Sequence, residues 1–191
     1  MQKDVLFSGV EALLKEVAST PRKGKIVLSH NDAQENNILS SLADNEKMIL
    51  IDYEYGDWNP MSYDIANFFN EFTVDNAAPV GPFGSGIQYY ENNYPTRPEM
   101  EILAKEYLRQ YFFREENAQG TEEQFETWAT QKLTEFMREV ECCLILNSFY
   151  WCVWAIMMAK EEEECDHTIF NWEFCRMRCI LFAKQLQWYG F

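Results

Sequence analysis

The sequence predicts a mainly helical α+β domain, and three observations carry that expectation. Long stretches beyond residue 97 repeat apolar residues at helical spacing. Two short apolar runs, "NNILSS" and "KMILID", flank the polar "LADNE" as the strands of a β-hairpin would. No internal repeat or low-complexity linker divides the 191 residues, and an apolar share of 47% is enough to bury one core, so the chain is expected to form a single domain, 1–191.

Taken in order, "MQKDVLFSGVEALLKEV" places Leu6, Val10, Leu13, Leu14 and Val17 on one helical face. It lacks the uninterrupted apolar core and small-residue cleavage site of an export signal, which predicts a cytoplasmic location. "STPRKG" is turn material, and "KIVL" is a short strand running into a loop at His30. After the hairpin, "SYDIANFFNEF" reads as a helix capped by Ser62, with Ile65, Phe68, Phe69 and Phe72 at helical spacing. Residues 73–97 read as irregular; "VGPFGSG" is expected to be a surface loop, since no flanking strand makes it a phosphate cradle. Three helices are predicted beyond it, at about 98–115, 122–160 and 168–187, with "EEEE" at 161–164 as a solvated helix end.

The most apolar run, "CCLILNSFYWCVWAIMM", holds Asn147 and Ser148 near its middle and falls short of the roughly 20 apolar residues a bilayer requires. It is therefore expected to be a buried core helix, with no transmembrane segment. The formal charge of −15 repels phosphodiester backbones, which argues against nucleic acid as a partner. The six cysteines, at 142, 143, 152, 165, 175 and 179, form no CxxC pair. Cys175 and Cys179 sit four apart in a helical pattern, where zinc still needs ligands the sequence does not place beside them, so reduced core thiols are expected.

Phosphoryl transfer needs a carboxylate near the attacking hydroxyl and oxygen ligands that hold metal and phosphates in line. His30-x-Asp32-x4-Asn37 has the spacing of a kinase catalytic loop, in which the aspartate takes the substrate proton and the asparagine binds Mg²⁺. Asp52, ending the run "MILI", falls where a second metal-binding aspartate belongs. Each feature alone has an ordinary structural reading; their order, with the hairpin between them, points to the kinase chemistry.

Those segments, "SHNDAQENNIL" and "LIDYEYGDWNPMSYDIANFFNEF", together with "FYWCVWAIMMAK", resemble choline and ethanolamine kinases, whose catalytic lobe is related to protein kinases and aminoglycoside phosphotransferases. The resemblance runs from about Lys25 to Leu186. It implies a protein-kinase-like C-terminal lobe whose small β-hairpin element carries the catalytic loop and the metal-binding aspartate. No glycine-rich hairpin or strand lysine precedes Lys25, so the N-terminal ATP-binding lobe is expected to be absent and the chain alone to be inactive or nearly so. Asp32 is implied as catalytic base, Gln34 as its neighbour at the substrate, and Asn37 and Asp52 as Mg²⁺ ligands. Asp64 is implied to brace the loop, and His30 to be structural.

Trp151 and Trp154, three apart on one helix, face the same way, which by itself more often marks a core than a site. The resemblance implies that they line an aromatic cage for a quaternary ammonium, with Trp172, Tyr55 and Glu71 as further contacts, the carboxylate supplying charge opposite the cation. Asn76 departs from the tyrosine common in choline kinases. The implied activity is ATP-dependent phosphorylation of choline or ethanolamine at the start of phospholipid head-group synthesis. The alternatives are an aminoglycoside-type phosphotransferase and a non-catalytic cation-binding fragment; a homodimer through the exposed lobe face also stays open.

Overall fold

The computed structural model describes residues 24–42, 47–81, 84–117, 119–161 and 167–191, together with Ser8, Glu11, Ala12 and Lys15, which are helical. The apolar face expected at Leu6 to Val17, most of the "LADNE" turn and the 162–164 glutamates lie outside those residues.

Strand β1 (Ile26–Ser29) pairs antiparallel with β4 (Asp57–Pro60), with Ser29 opposite Asp57. Between them lies the predicted hairpin, β2 (Ile38–Ser40) against β3 (Met48–Leu50), with Ile38 opposite Leu50. The His30 loop is thus held at both ends by ladders. Each ladder leaves apolar side chains open to solvent: Leu28 and Trp58, which face each other across β1 and β4, and Met48 and Ile49 on β3, are all exposed.

Helix α1 (Tyr63–Glu71) follows at once. Ile65 and Phe69 are buried as the spacing predicts and Phe68 is partly buried, whereas Phe72 is half exposed beyond the last turn and meets Phe68 edge-on at 5.1 Å. Ser62 does not cap this helix through its side chain. Its own backbone is already helical, and its buried hydroxyl lies 3.3 Å from Cys143 Sγ, so it is not aimed at the free amides of the first turn.

Residues 73–97 are more ordered than expected. Two short antiparallel ladders form, β5 (Val74–Asp75) with β8 (Gln88–Tyr89) and β6 (Val80–Gly81) with β7 (Gly84–Ser85). Gly86, at φ 79°, turns the chain so that Ile87 joins a buried cluster instead of lying on a surface loop.

Helix α2 (Arg97–Tyr111) begins with a reciprocal capping box between Thr96 and Glu99 and runs into a π-helical turn, Phe112–Glu116. Helices α3 (Glu122–Glu161) and α4 (His167–Trp188) complete the body. By length and composition α3 could cross a bilayer, but 56% of its most apolar window is buried inside the fold, as a core helix is. Its Met137, Val140 and Leu144 pack against Ala66 and Phe69 of α1 and Met100 and Ala104 of α2. On another face, Cys142 and Ile145 meet Phe182 and Leu186 of α4.

Where α1, α3 and α4 converge the core is polar. Asn70 donates to the Leu144 carbonyl at 3.0 Å and Asn147 Oδ1 at 2.8 Å, and it accepts from Gln185 Nε2 at 2.7 Å. Ser148 donates to Gln185 Oε1 at 2.8 Å. Such a network is stable only when its members find partners, so it fixes the relative rotation of the three helices beneath the site.

Candidate functional site

The loop after β1 turns back through Asn31, whose φ of 65° lies in the left-handed region that asparagine tolerates better than most residues. Asp64, in the first turn of α1, holds it there. Its Oδ2 accepts the His30 amide and its Oδ1 the Asn31 amide, both at 2.8 Å. The Asn31 side chain donates in turn to the Tyr55 carbonyl at 2.8 Å. His30 is buried; its Nδ1 accepts from the Asp32 amide at 3.3 Å and its Nε2 donates to the Ile51 carbonyl at 2.7 Å, an arrangement that places the ring hydrogen on Nε2. Asp64 thus ties two consecutive loop amides to α1, and His30 is hydrogen-bonded at both ring nitrogens.

Asp32 is partly buried beside Asn37, whose Nδ2 donates to both the Asp32 carbonyl and Oδ2 at 2.9 Å. Burial, and after it the charge of Glu71, pushes the Asp32 carboxyl up to about 6 against the opposing Asn37 hydrogen bond. The Ile51 amide donates to the Asn37 carbonyl at 3.0 Å, which brings the end of β3, and with it Asp52, alongside the loop. Asp52 is exposed and has a φ of 64°. With Asn37 Nδ2 committed to Asp32, its amide oxygen and the Asp52 carboxylate are hard donors suited to Mg²⁺. Gln34 is half-buried and its Oε1 accepts from Asn36 at 3.1 Å.

Four rings meet at the far side of the loop. Tyr55 lies edge-on to Trp151 at 5.5 Å, Trp151 to Trp154 at 5.4 Å, and Phe174 stands 6.4 and 6.0 Å from the two indoles. The Trp154 indole donates to the Tyr55 hydroxyl at 3.1 Å. Trp151 is 5% exposed, so it belongs to the core as much as to any cage.

Trp172 is not in this group. It is half exposed and makes none of the described ring contacts, because residues two apart on a helix are about 200° apart and the face toward Trp151 is taken by Phe174. Glu71 also differs from expectation. Its buried carboxylate is ion-paired with the buried Arg178 guanidinium, so its charge is already balanced within the protein. Asn76 hydrogen-bonds the Glu35 carboxylate.

Asn67 escaped sequence reasoning although it joins the two halves of the site. Its Nδ2 donates to the Ala33 carbonyl at 3.1 Å, and its Oδ1 accepts from the Trp151 indole at 3.0 Å and from Asn147 at 2.7 Å. The readable signal was a polar stripe, Asp64, Asn67 and Glu71 at i, i+3 and i+7, on a helix that also carries Asn70.

The mainly helical α+β fold recurs in solved structures of kinases. The choline kinase of Cryptosporidium parvum superposes with a TM-score of 0.60 at 24% identity, covering 85% of this chain and 39% of that one. The Plasmodium vivax ethanolamine kinase superposes with a TM-score of 0.60 at 20% identity, covering 95% and 41%. The fold is therefore one shared with kinases of small amino alcohols.

The choline/ethanolamine kinase family profile matches residues 6–180, and the chain belongs to that family. Choline kinase alpha of Mus musculus is 32% identical over 143 residues, which are 72% of this chain and 29% of that protein. Ethanolamine kinase 1 of Homo sapiens is 32% identical over 151 residues, 77% and 28% of the two chains. The choline/ethanolamine kinase of Homo sapiens is 29% identical over 150 residues, 78% and 35%. The chain thus spans about a third of the length of these curated relatives.

Proposed function

We propose that the chain carries the acceptor half of a choline or ethanolamine kinase, in which the hydroxyl of the amino alcohol is phosphorylated by ATP. The observation that carries this reading is the pair of ties between loop and rings: Asn67 links Ala33 to Trp151, and Asn31 links the loop to Tyr55. A cationic head held against Tyr55, Trp151 and Trp154 leaves its hydroxyl arm directed along the loop toward Asp32. Cation–π attraction is worth about 0.5 to 2 kcal/mol per ring and suits a methylated ammonium whose charge is spread over its methyl groups. Choline is therefore the leading substrate and ethanolamine the alternative.

Asp32 serves as general base. With its carboxyl near 6 it is largely ionised at neutral pH, yet more basic than an ordinary aspartate. The Asn37 hydrogen bond orients it, and His30 and Asp64 keep the loop in the conformation that presents it. Asn37 and Asp52 would hold Mg²⁺, which when bound neutralises charge on the ATP phosphates. Since the Arg178 guanidinium balances Glu71, the anionic charge facing the cation comes chiefly from Asp32, whose proton affinity is raised first by its burial and then by Glu71.

Calorimetric titration with choline and with ethanolamine, with and without Mg-ATP, tests the reading. Binding of choline that weakens in Trp154→Ala supports it. Equal heats from wild type and variant, or no binding of either cation, overturn the ring assignment.

A further inference from the structure

Behind the rings, three thiols converge from positions far apart in sequence. Cys152 lies on α3, and Cys175 and Cys179 lie one turn apart on α4. Cys152 Sγ is 2.9 Å from Cys179 Sγ and 3.6 Å from Cys175 Sγ, and all three sulfurs fall within 4.8 Å of one another. Sequence spacing showed only the α4 pair; the third ligand arrives through the packing of α3 on α4.

An ion bound by thiolates at about 2.3 Å in tetrahedral geometry needs sulfurs about 3.8 Å apart. Both separations from Cys152 are shorter than that distance, so side-chain rotations that spread the sulfurs make room for an ion between them. The donors in the group are all sulfur, which favours zinc or cuprous ions over the hard cations of a phosphate site. Cys152 and Cys175 are buried whereas Cys179 is exposed, so one of the three sulfurs is reached from solvent.

We propose that Cys152, Cys175 and Cys179 form a binding site for one thiophilic metal ion of the zinc class, separate from the phosphate-directed Asn37 and Asp52. Cys152 follows Trp151 and Cys175 follows Phe174, so the bound ion ties the two ring-bearing helix faces together. The proposal does not depend on the kinase reading.

The test uses the whole chain, reduced and stripped with a chelator, titrated with Zn²⁺ against a chromophoric competitor and with Co²⁺ by absorption. One ion per chain, thiolate-to-cobalt charge-transfer bands and protection of three thiols from a thiol reagent are expected. Outer-sphere changes weaken metal sites about 10- to 100-fold, so loss of the exposed ligand in Cys179→Ser should weaken binding at least about 100-fold. Cys142→Ala, in a separate cluster, should leave the affinity unchanged. Absence of binding, protection of fewer than three thiols, an affinity unchanged by Cys179→Ser, or a Cys152–Cys179 disulfide recovered from zinc-saturated protein would overturn it.

Discussion

Replacing Asp64 by asparagine tests whether α1 holds the His30–Asn37 loop. The carboxylate accepts two backbone amides at 2.8 Å, one from a residue in left-handed conformation. Asparagine keeps one acceptor and turns an NH₂ toward the other amide. A hydrogen bond to a charged acceptor contributes about 1.5 to 3 kcal/mol, and an amide left unpaired adds about 1 more when buried. Asp64 is only half-buried, so the lower end applies, about 2 kcal/mol. For a chain of 191 residues this lowers Tm by about 4 to 8 °C. Urea unfolding followed by circular dichroism gives the free energy, and amide exchange at His30 and Asn31 shows whether the loss is local. A change below about 0.5 kcal/mol, with exchange at those two amides unaltered, would refute the reasoning.

The Asp32 carboxyl, raised to about 6, is ionised at a cost in the folded state, so the stability it confers is present below its unfolded pKa and lost as pH rises through about 6. Asp32→Asn should therefore be more stable than wild type at pH 7, by about 1 to 2 kcal/mol after solvent screening, with the difference vanishing below about pH 4; paired denaturation curves across pH check this. Removing one partner of a buried ion pair costs about 3 to 5 kcal/mol, so Arg178→Met should destabilise strongly, and adding Glu71→Gln should recover more than half of the loss. Trp154→Phe deletes the hydrogen bond to Tyr55 and part of the cation–π surface; choline affinity should fall about 3- to 30-fold by calorimetry with the fold retained.

Much of this was legible before any coordinates. The hairpin, the α1 run and the three later helices follow from periodicity, and the His30, Asp32, Asn37 and Asp52 order follows from motif spacing. What could not be read was long-range partnership. Arg178 looks like an ordinary helix arginine until α4 docks and sets it against Glu71, 107 residues away. Trp172 and Phe174 both suit an aromatic cage, and only the rotation of α4 decides between them. Ser62 has the composition of a cap, but burial against Cys143 gives its hydroxyl another neighbour. Asn67 was visible as part of a polar stripe, though its partners on a loop and on a distant helix were not.

The central claim is that a cation sits on Tyr55, Trp151 and Trp154 with its hydroxyl arm toward Asp32. Nuclear Overhauser contacts between the N-methyl protons of bound choline and the ring protons of this chain test it most directly. The account predicts cross-peaks to Trp154 and Tyr55 that disappear when unlabelled choline is replaced by its deuterated-methyl form. Bound choline whose methyl protons contact neither ring would contradict it.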